Sequence, residues 1–296
     1  MTDLQFYFYK WPVGAHTAFA GRICDTIWTG INYGMYALQF FMGSSRSFNR
    51  TVITENDINE CKKILARFPT KIFSHFPYVA NLAGSKDFLA WNGDSSQDGK
   101  TTHLLKMLEY ELHVLGQLNG GVVIHPGNHT NEEKGLKAIA TSINKIKFTG
   151  ESKLLLENSA GQGTSLATTF EQIKTIIDNV EKEKRKHIGV CIDTCHIFSY
   201  GQYDLSQIDV VEKMFTNFDK IIGLDRFTLL HLNDSETSLG KKVDRHAYIG
   251  TGYIWGNNFD SLVYLLNKCE KLNIPVVLET RGRDMLVLGS ISTNLG

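Results

Sequence analysis

The sequence predicts an α/β fold, a single (β/α)8 TIM barrel over residues 1–296 with its working groups at the C-terminal ends of the strands. Three observations predict it. Eight short β-rich runs recur along the chain, and amphipathic helical stretches separate them, which is the spacing of βα units on a parallel sheet. Six consecutive runs then end on His, Asp or Glu. An open doubly wound sheet shares the first two features. The third favours a barrel, because barrel strands all point their C-termini at one mouth.

The strands are expected near 12–15, 36–41, 71–75, 121–125, 153–157, 188–193, 227–231 and 275–279. Helical patterns fall between them at 55–67, 103–118, 132–146, 170–180, 211–222 and 259–271. Thr54, ahead of Glu55, Asn56 and Asp57, and Thr169, ahead of Glu171, are N-cap residues by type, since a hydroxyl oxygen satisfies an otherwise unpaired amide. The stretch 85–100, with Gly93, Asp94, Ser95, Ser96, Asp98 and Gly99, reads as a long loop. The ending L-V-L-G-S-I-S-T-N-L-G is Gly-punctuated, and no closing helix is expected there.

Composition narrows the function classes. A formal net charge of zero excludes a protein that coats nucleic acid through bulk charge, so any contact with DNA has to be local. The basic run 182–186 reads as a solvated helix face or as loop charges, whereas Lys241, Lys242 and Arg245 form a candidate contact patch. The cysteines Cys24, Cys61, Cys191, Cys195 and Cys269 are odd in number, scattered and without a C-x-x-C pair, which fits a reducing compartment. The opening MTDLQFYFYKWP has no secretory pattern, and no apolar run reaches the roughly 18 residues of a membrane span. The expectation is a soluble, intracellular monomer of cytoplasm or nucleus.

The chemistry sits at the strand ends: His75, His125, Glu157, Asp193, His231 and Glu279 close the runs KIFS, GVVI, KLLL, GVCI, FTLL and PVVL. A polar group at the end of a buried apolar strand is costly unless it is paired or metal-bound. One such histidine is ordinarily a core-edge residue satisfied by backbone. Six around one mouth are not, and three imidazoles with three carboxylates match the donors that zinc or manganese prefers. Two local patterns add to them. D-T-C-H sets Asp193 near His196 across a short turn, and D-R-H sets Asp244 and His246 on one side of an extended segment.

Together these motifs resemble the endonuclease IV family of abasic-site DNA repair enzymes, and the likeness covers nearly the whole chain. It runs through G-A-H at 14–16, H-x-x-Y-V-x-N at 75–81, H-P-G-N-H at 125–129, E-N-S-A-G-Q-G-T at 157–164 and G-V-C-I-D-T-C-H at 189–196. It continues in H-L-N-D-S at 231–235, V-D-R-H at 243–246 and L-E-T at 278–280. The resemblance implies three zinc ions: one on His75, His125 and Glu157, a second on Glu157, Asp193, His231 and Glu279, and a third on His196, Asp244 and His246. Glu157 bridges the first two and takes part in activating water. The implied reaction is hydrolysis 5′ to an abasic site in double-stranded DNA, leaving a 3′ hydroxyl and a 5′ deoxyribose phosphate, with 3′-end cleaning as a further activity of the same site.

The resemblance also places DNA-inserting side chains at Arg46, Tyr78 and Val79, where Val79 is smaller than the family's usual aliphatic residue. Asn81, Lys242 and Arg245 are phosphate-contact candidates on the same rim. His16, His129 and Asn233 are expected to support the ligands from behind. Cys195 is read as a packed thiol, and His103, His113 and His187 are given no role. Two other readings remain at this point: a metal-dependent sugar isomerase or epimerase on the same barrel, and a catalytically silent protein that binds DNA lesions.

Overall fold

In the computed structural model, which describes residues 10–84, 100–256, 258–280 and 283–294, the eight expected strands form. They are β1 (Val13–His16), β2 (Ala37–Phe40), β3 (Lys71–His75), β4 (Gly121–Ile124), β5 (Lys153–Glu157), β6 (Ile188–Asp193), β7 (Phe227–His231) and, near the end of the chain, β10 (Val276–Leu278). Every neighbouring pair is parallel, and β1 bonds both β2 and β10, which closes the barrel. All residues of β2, β4 and β6 are buried, as expected of strands covered on both faces. A two-residue pair, β8 (Asp234–Ser235) and β9 (His246–Ala247), runs antiparallel outside the barrel.

Around the barrel run α1 (Ile23–Asn32), α2 (Glu55–Arg67), α3 (Lys100–Gly116), α4 (Glu132–Asn144), α5 (Phe170–Asn179), α6 (Thr194–Tyr200), α7 (Ile208–Ile221), α8 (Asp260–Leu272) and α9 (Arg283–Asn294). Thr54 and Thr169 cap α2 and α5 as read from the sequence, and the Thr54–Asp57 pair forms a full capping box. The sequence reading of the C-terminus is corrected. The ending forms α9 straight through Gly289, because Met285 and Leu288 bury against the barrel and packing outweighs the helix cost of one glycine, about 1 kcal/mol. The expected loop over 85–99 lies outside the described residues, and Lys100 already opens α3. Among the described residues no helix is long and apolar enough to cross a membrane.

The barrel interior holds its own apolar cluster, separate from the main core: Ala37, Phe73, Val123, Leu155, Cys191, Leu229 and Val277. Each comes from a different strand. On β1 the equivalent position is Gly14, where a Cβ would collide with the carbonyl of Ala37. Side chains alternate along a strand, so the residue two places on faces the same way. That step leads from this apolar floor to Gln39, His75, His125, Glu157, Asp193, His231 and Glu279, and from Gly14 to His16. All eight strands therefore send a polar side chain to the mouth.

Candidate metal centre

Glu157 lies at the middle of this ring. Its Oε2 is 3.2 Å from His75 Nε2 and 3.0 Å from His125 Nε2, and its Oε1 is 2.9 Å from His231 Nδ1. The register brings Asp193 level with His231 and Glu157 level with Cys191. Two groups of donor atoms result, each within 4.8 Å: His75, His125 and Glu157; and Glu157, Asp193, His231 and Glu279. Glu157 belongs to both.

The third group is built differently. Asp193 ends β6 and caps α6 by accepting from the His196 amide at 2.9 Å, which turns the His196 ring inward. The β8–β9 pair folds the following loop back over the mouth and delivers Asp244 and His246. Asp234 anchors that loop, accepting the backbone N–H groups of Ser235, Gly250, Gly252 and Ile254. Asp244 Oδ1 then stands 3.1 Å from His196 Nε2 and 3.3 Å from His246 Nε2. Asp193 Oδ2 faces the same pair at 4.0 and 3.6 Å. The donor atoms that lie within 4.8 Å of one another here are those of Asp193, His196 and His246, with Asp244 at the exposed edge, so Asp193 belongs to the second and the third group alike.

The electrostatics suit a cation. At His196, His231, His246, Glu157 and Glu279 burial disfavours charge, yet the mutual field outweighs it. Burial lowers His196 and His231, but the neighbours of each, Asp193 and Asp244 about the first and Cys191, Glu279 and Glu157 about the second, hold both well above the ordinary imidazole range. His246 is pushed up to about 9 against burial, chiefly by Asp193 and Asp244. Burial raises Glu157, and His125 and His231 more than reverse that, leaving it well below the carboxylate range. Glu279 falls to about 2 in the same way, with His231 the main opposing influence. His16, by contrast, is lowered to about 4 by burial. Within the cluster, His196 Nε2 and His246 Nε2 are buried and find no hydrogen-bond partner among the described residues. Buried nitrogens aimed at carboxylates without bonding them are what a cation between them satisfies. The donor set fits zinc: nitrogen and oxygen only, with carboxylates placed to be shared.

The remaining sequence candidates divide. Tyr78 stands half-exposed over the cluster, its ring centroid 5.1 Å from that of His75 and 5.5 Å from that of His125. Arg46, Lys242 and Arg245 are exposed around the mouth and Val79 is partly so. Asn81 is buried; its Oδ1 accepts from Ala83 and Asn128 and its amide nitrogen donates back to Asn128, so it ties two loops together. His129 pairs its Nδ1 with the backbone of Asn131 at the start of α4. Asn233 supports the strand-end acids, donating to Asp193 at 2.7 Å and to Glu279 at 3.0 Å. Cys195 is a packed thiol against the Arg245 carbonyl. Between α1 and α2, Cys24, Asp57 and Glu60 also cluster, but Arg22 already takes both carboxylates at 2.6 Å.

Gln39 was not among the sequence candidates. It is fully buried, and its side chain reaches His16, Glu279 and His231. The available signal was a lone amide two residues past Ala37 in an otherwise apolar strand. Beside the cluster, a cavity of about 740 Å³ is lined by His246, Tyr248, Gly252, Tyr253, Glu279 and Thr280 among others.

Comparison with known proteins is consistent with this geometry. The family model described as "Xylose isomerase-like TIM barrel" matches residues 31–292. A Geotalea daltonii protein named "Probable endonuclease 4" is 33% identical over 291 residues, covering 96% of each chain. A Nitrosopumilus maritimus protein of the same name is 33% identical over 275 residues, 90% of this chain and 92% of its own. Among solved structures, endonuclease IV from Thermus thermophilus superposes with a TM-score of 0.75 at 22% identity, over 96% of this chain and 97% of that one.

Proposed function

The chain belongs to the endonuclease IV family, and from that premise we propose that it is a DNA repair endonuclease that hydrolyses the phosphodiester 5′ to abasic sites in duplex DNA with the help of three zinc ions. The observation that carries the reading is the run of three adjoining donor groups joined through Glu157 and Asp193. His75, His125 and Glu157 would hold the first ion. Glu157, Asp193, His231 and Glu279 would hold the second, and His196, Asp244 and His246 the third. Bound zinc supplies Lewis acidity, lowering the pKa of water towards ~7 and offsetting charge on the phosphate under attack.

The chain's own residues do the rest. Glu157 spans two ligand groups with its two oxygens and keeps their spacing fixed. Exposed Arg46 and Tyr78, with Val79 beside them, are set to enter the duplex where the missing base has weakened stacking. Lys242 and Arg245, on the opposite loop, are set to hold backbone phosphates. Because the net charge is zero, these few cations carry the DNA affinity.

The test is incision of an end-labelled duplex bearing one tetrahydrofuran abasic analogue, which lacks the aldehyde that lyase chemistry needs. Chelator-sensitive cutting on the 5′ side is the expected outcome. Intact substrate after incubation with zinc-loaded protein would overturn the reading.

A further inference from the structure

Of the eight polar residues around the mouth, seven are acids or imidazoles and Gln39 is the exception. Its amide is fully used. Nε2 lies 2.9 Å from Glu279 Oε1 and 3.0 Å from His16 Nδ1, and Oε1 lies 2.8 Å from His231 Nε2. A carboxylate can only accept, so the amide nitrogen has to be the atom facing Glu279. That fixes the amide's orientation and turns its oxygen to His231. An amide oxygen also can only accept, so His231 Nε2 carries the hydrogen. A neutral imidazole then has its lone pair on Nδ1, the nitrogen that faces Glu157 Oε1 at 2.9 Å, Glu279 Oε2 at 3.5 Å and Asp193 Oδ2 at 3.9 Å.

We propose that Gln39 is the positioning residue of the second metal group: its amide locks His231 into the tautomer with Nδ1 free to bind metal, and it holds Oε1 of Glu279 while Oε2, steadied by Asn233 at 3.0 Å, faces the same His231 Nδ1 at 3.5 Å. The inference rests on the metal reading given above. It depends on the side chain reaching three partners at once, which an acid or an imidazole in this position does not do. Histidine ligands are generally oriented by the bond that their other nitrogen makes. Here one buried amide does this for the imidazole and for the neighbouring carboxylate together.

The test measures metal rather than turnover. Gln39→Met keeps the length of the side chain and removes both donors and the acceptor. Zinc-loaded wild type and variant are titrated with a chromophoric chelator, and bound zinc is counted by mass spectrometry. The expected result is that one zinc equivalent is held about 10- to 100-fold more weakly in the variant, with the others unchanged. Equal zinc retention by the two proteins overturns the proposal while leaving the metal reading intact, whereas a wild type that retains no zinc overturns the metal reading and this proposal with it. A second measurement needs no variant at position 39. In cadmium-loaded wild type with ¹⁵N-labelled histidine, the cadmium coupling of His231, assigned by its loss in His231→Gln, is expected on Nδ1. Coupling on Nε2 overturns the proposal.

Discussion

Replacing Glu157 with glutamine changes one charge and almost no volume, and the contacts of its two oxygens set the size of the effect. Oε2 points towards His75 and His125 and Oε1 towards His231, at 2.9 to 3.2 Å. Glutamine offers one oxygen and one NH2 group. If the NH2 faces His75 and His125, two charge-assisted contacts are lost, at about 1.5–3 kcal/mol each. The combined loss of about 3–6 kcal/mol corresponds to roughly two to four decades in rate, at 1.36 kcal/mol per decade. In the zinc-loaded protein the same swap leaves one of the two shared ions without its oxygen ligand. Leu155 and the rest of the apolar floor are untouched, so the barrel should fold normally. The assay is single-turnover incision of the tetrahydrofuran duplex at saturating protein, with bound zinc counted and the unfolding temperature measured in parallel. A folded Glu157→Gln protein cutting within tenfold of wild type would refute the reasoning.

Two further outcomes are expected. Neutralising Lys242 and Arg245 together should weaken binding to damaged and undamaged duplex alike and reduce the slope of log K against log salt by about 2, one for each phosphate contact; an unchanged slope in a filter-binding or anisotropy titration would remove both residues from the interface. Glu111, wholly buried beside Arg50 and Ser74, is pushed up to about 7 by burial, which outweighs the lowering by Arg50. A folded-state pKa above the unfolded value gives a stability contribution that is fully present below about 4.3 and is lost as pH rises through 7, about 4 kcal/mol in all. The carbonyl band of its protonated carboxyl should therefore vanish in infrared titration with a midpoint near 7 and be absent in Glu111→Gln; a midpoint near 4 would show that burial does not dominate.

All eight strands were legible in the sequence because a strand covered on both faces has to be apolar along its length, and a polar residue at its end then stands out. The site's six strand-end groups were legible for the same reason. Gln39 was not, because its strand continues through Phe40, Phe41 and Met42, so the amide reads as an interior oddity and not as an end. Helices α1, α6 and α9 escaped for separate reasons. α1 opens on Arg22 and mixes threonines with Gly30, and it is held by burying Ile23, Cys24 and Ile27. α6 is only seven residues long and follows directly on the strand-end Asp193, which caps it. α9 contains Gly289 and relies on packing. Asn81 and His129 sit in motifs shared with the ligands, and sequence proximity made them look like partners of the site. Only the loop geometry shows what each holds, Asn81 the segments of Ala83 and Asn128 and His129 Nδ1 the backbone of Asn131.

The origin of the third donor group bears on the choice between a nuclease and a sugar isomerase. The first two groups draw only on strand ends, and a barrel that moves protons on a small sugar needs no more than such a set around one or two metals. His196, Asp244 and His246 come instead from a helix start and from a loop folded back by β8 and β9 and fastened by Asp234. That loop carries Lys242 and Arg245 on its exposed side. One segment therefore supplies donors to the inside of the mouth and cations to its rim, an arrangement suited to a substrate whose reacting phosphate continues into a charged backbone. It also argues against a purely structural metal centre. Such sites are closed and rich in thiolates, whereas Cys195, the thiol flanked by Asp193 and His196 in sequence, lies against the Arg245 carbonyl and the donors proper are carboxylates and imidazoles opening on a cavity.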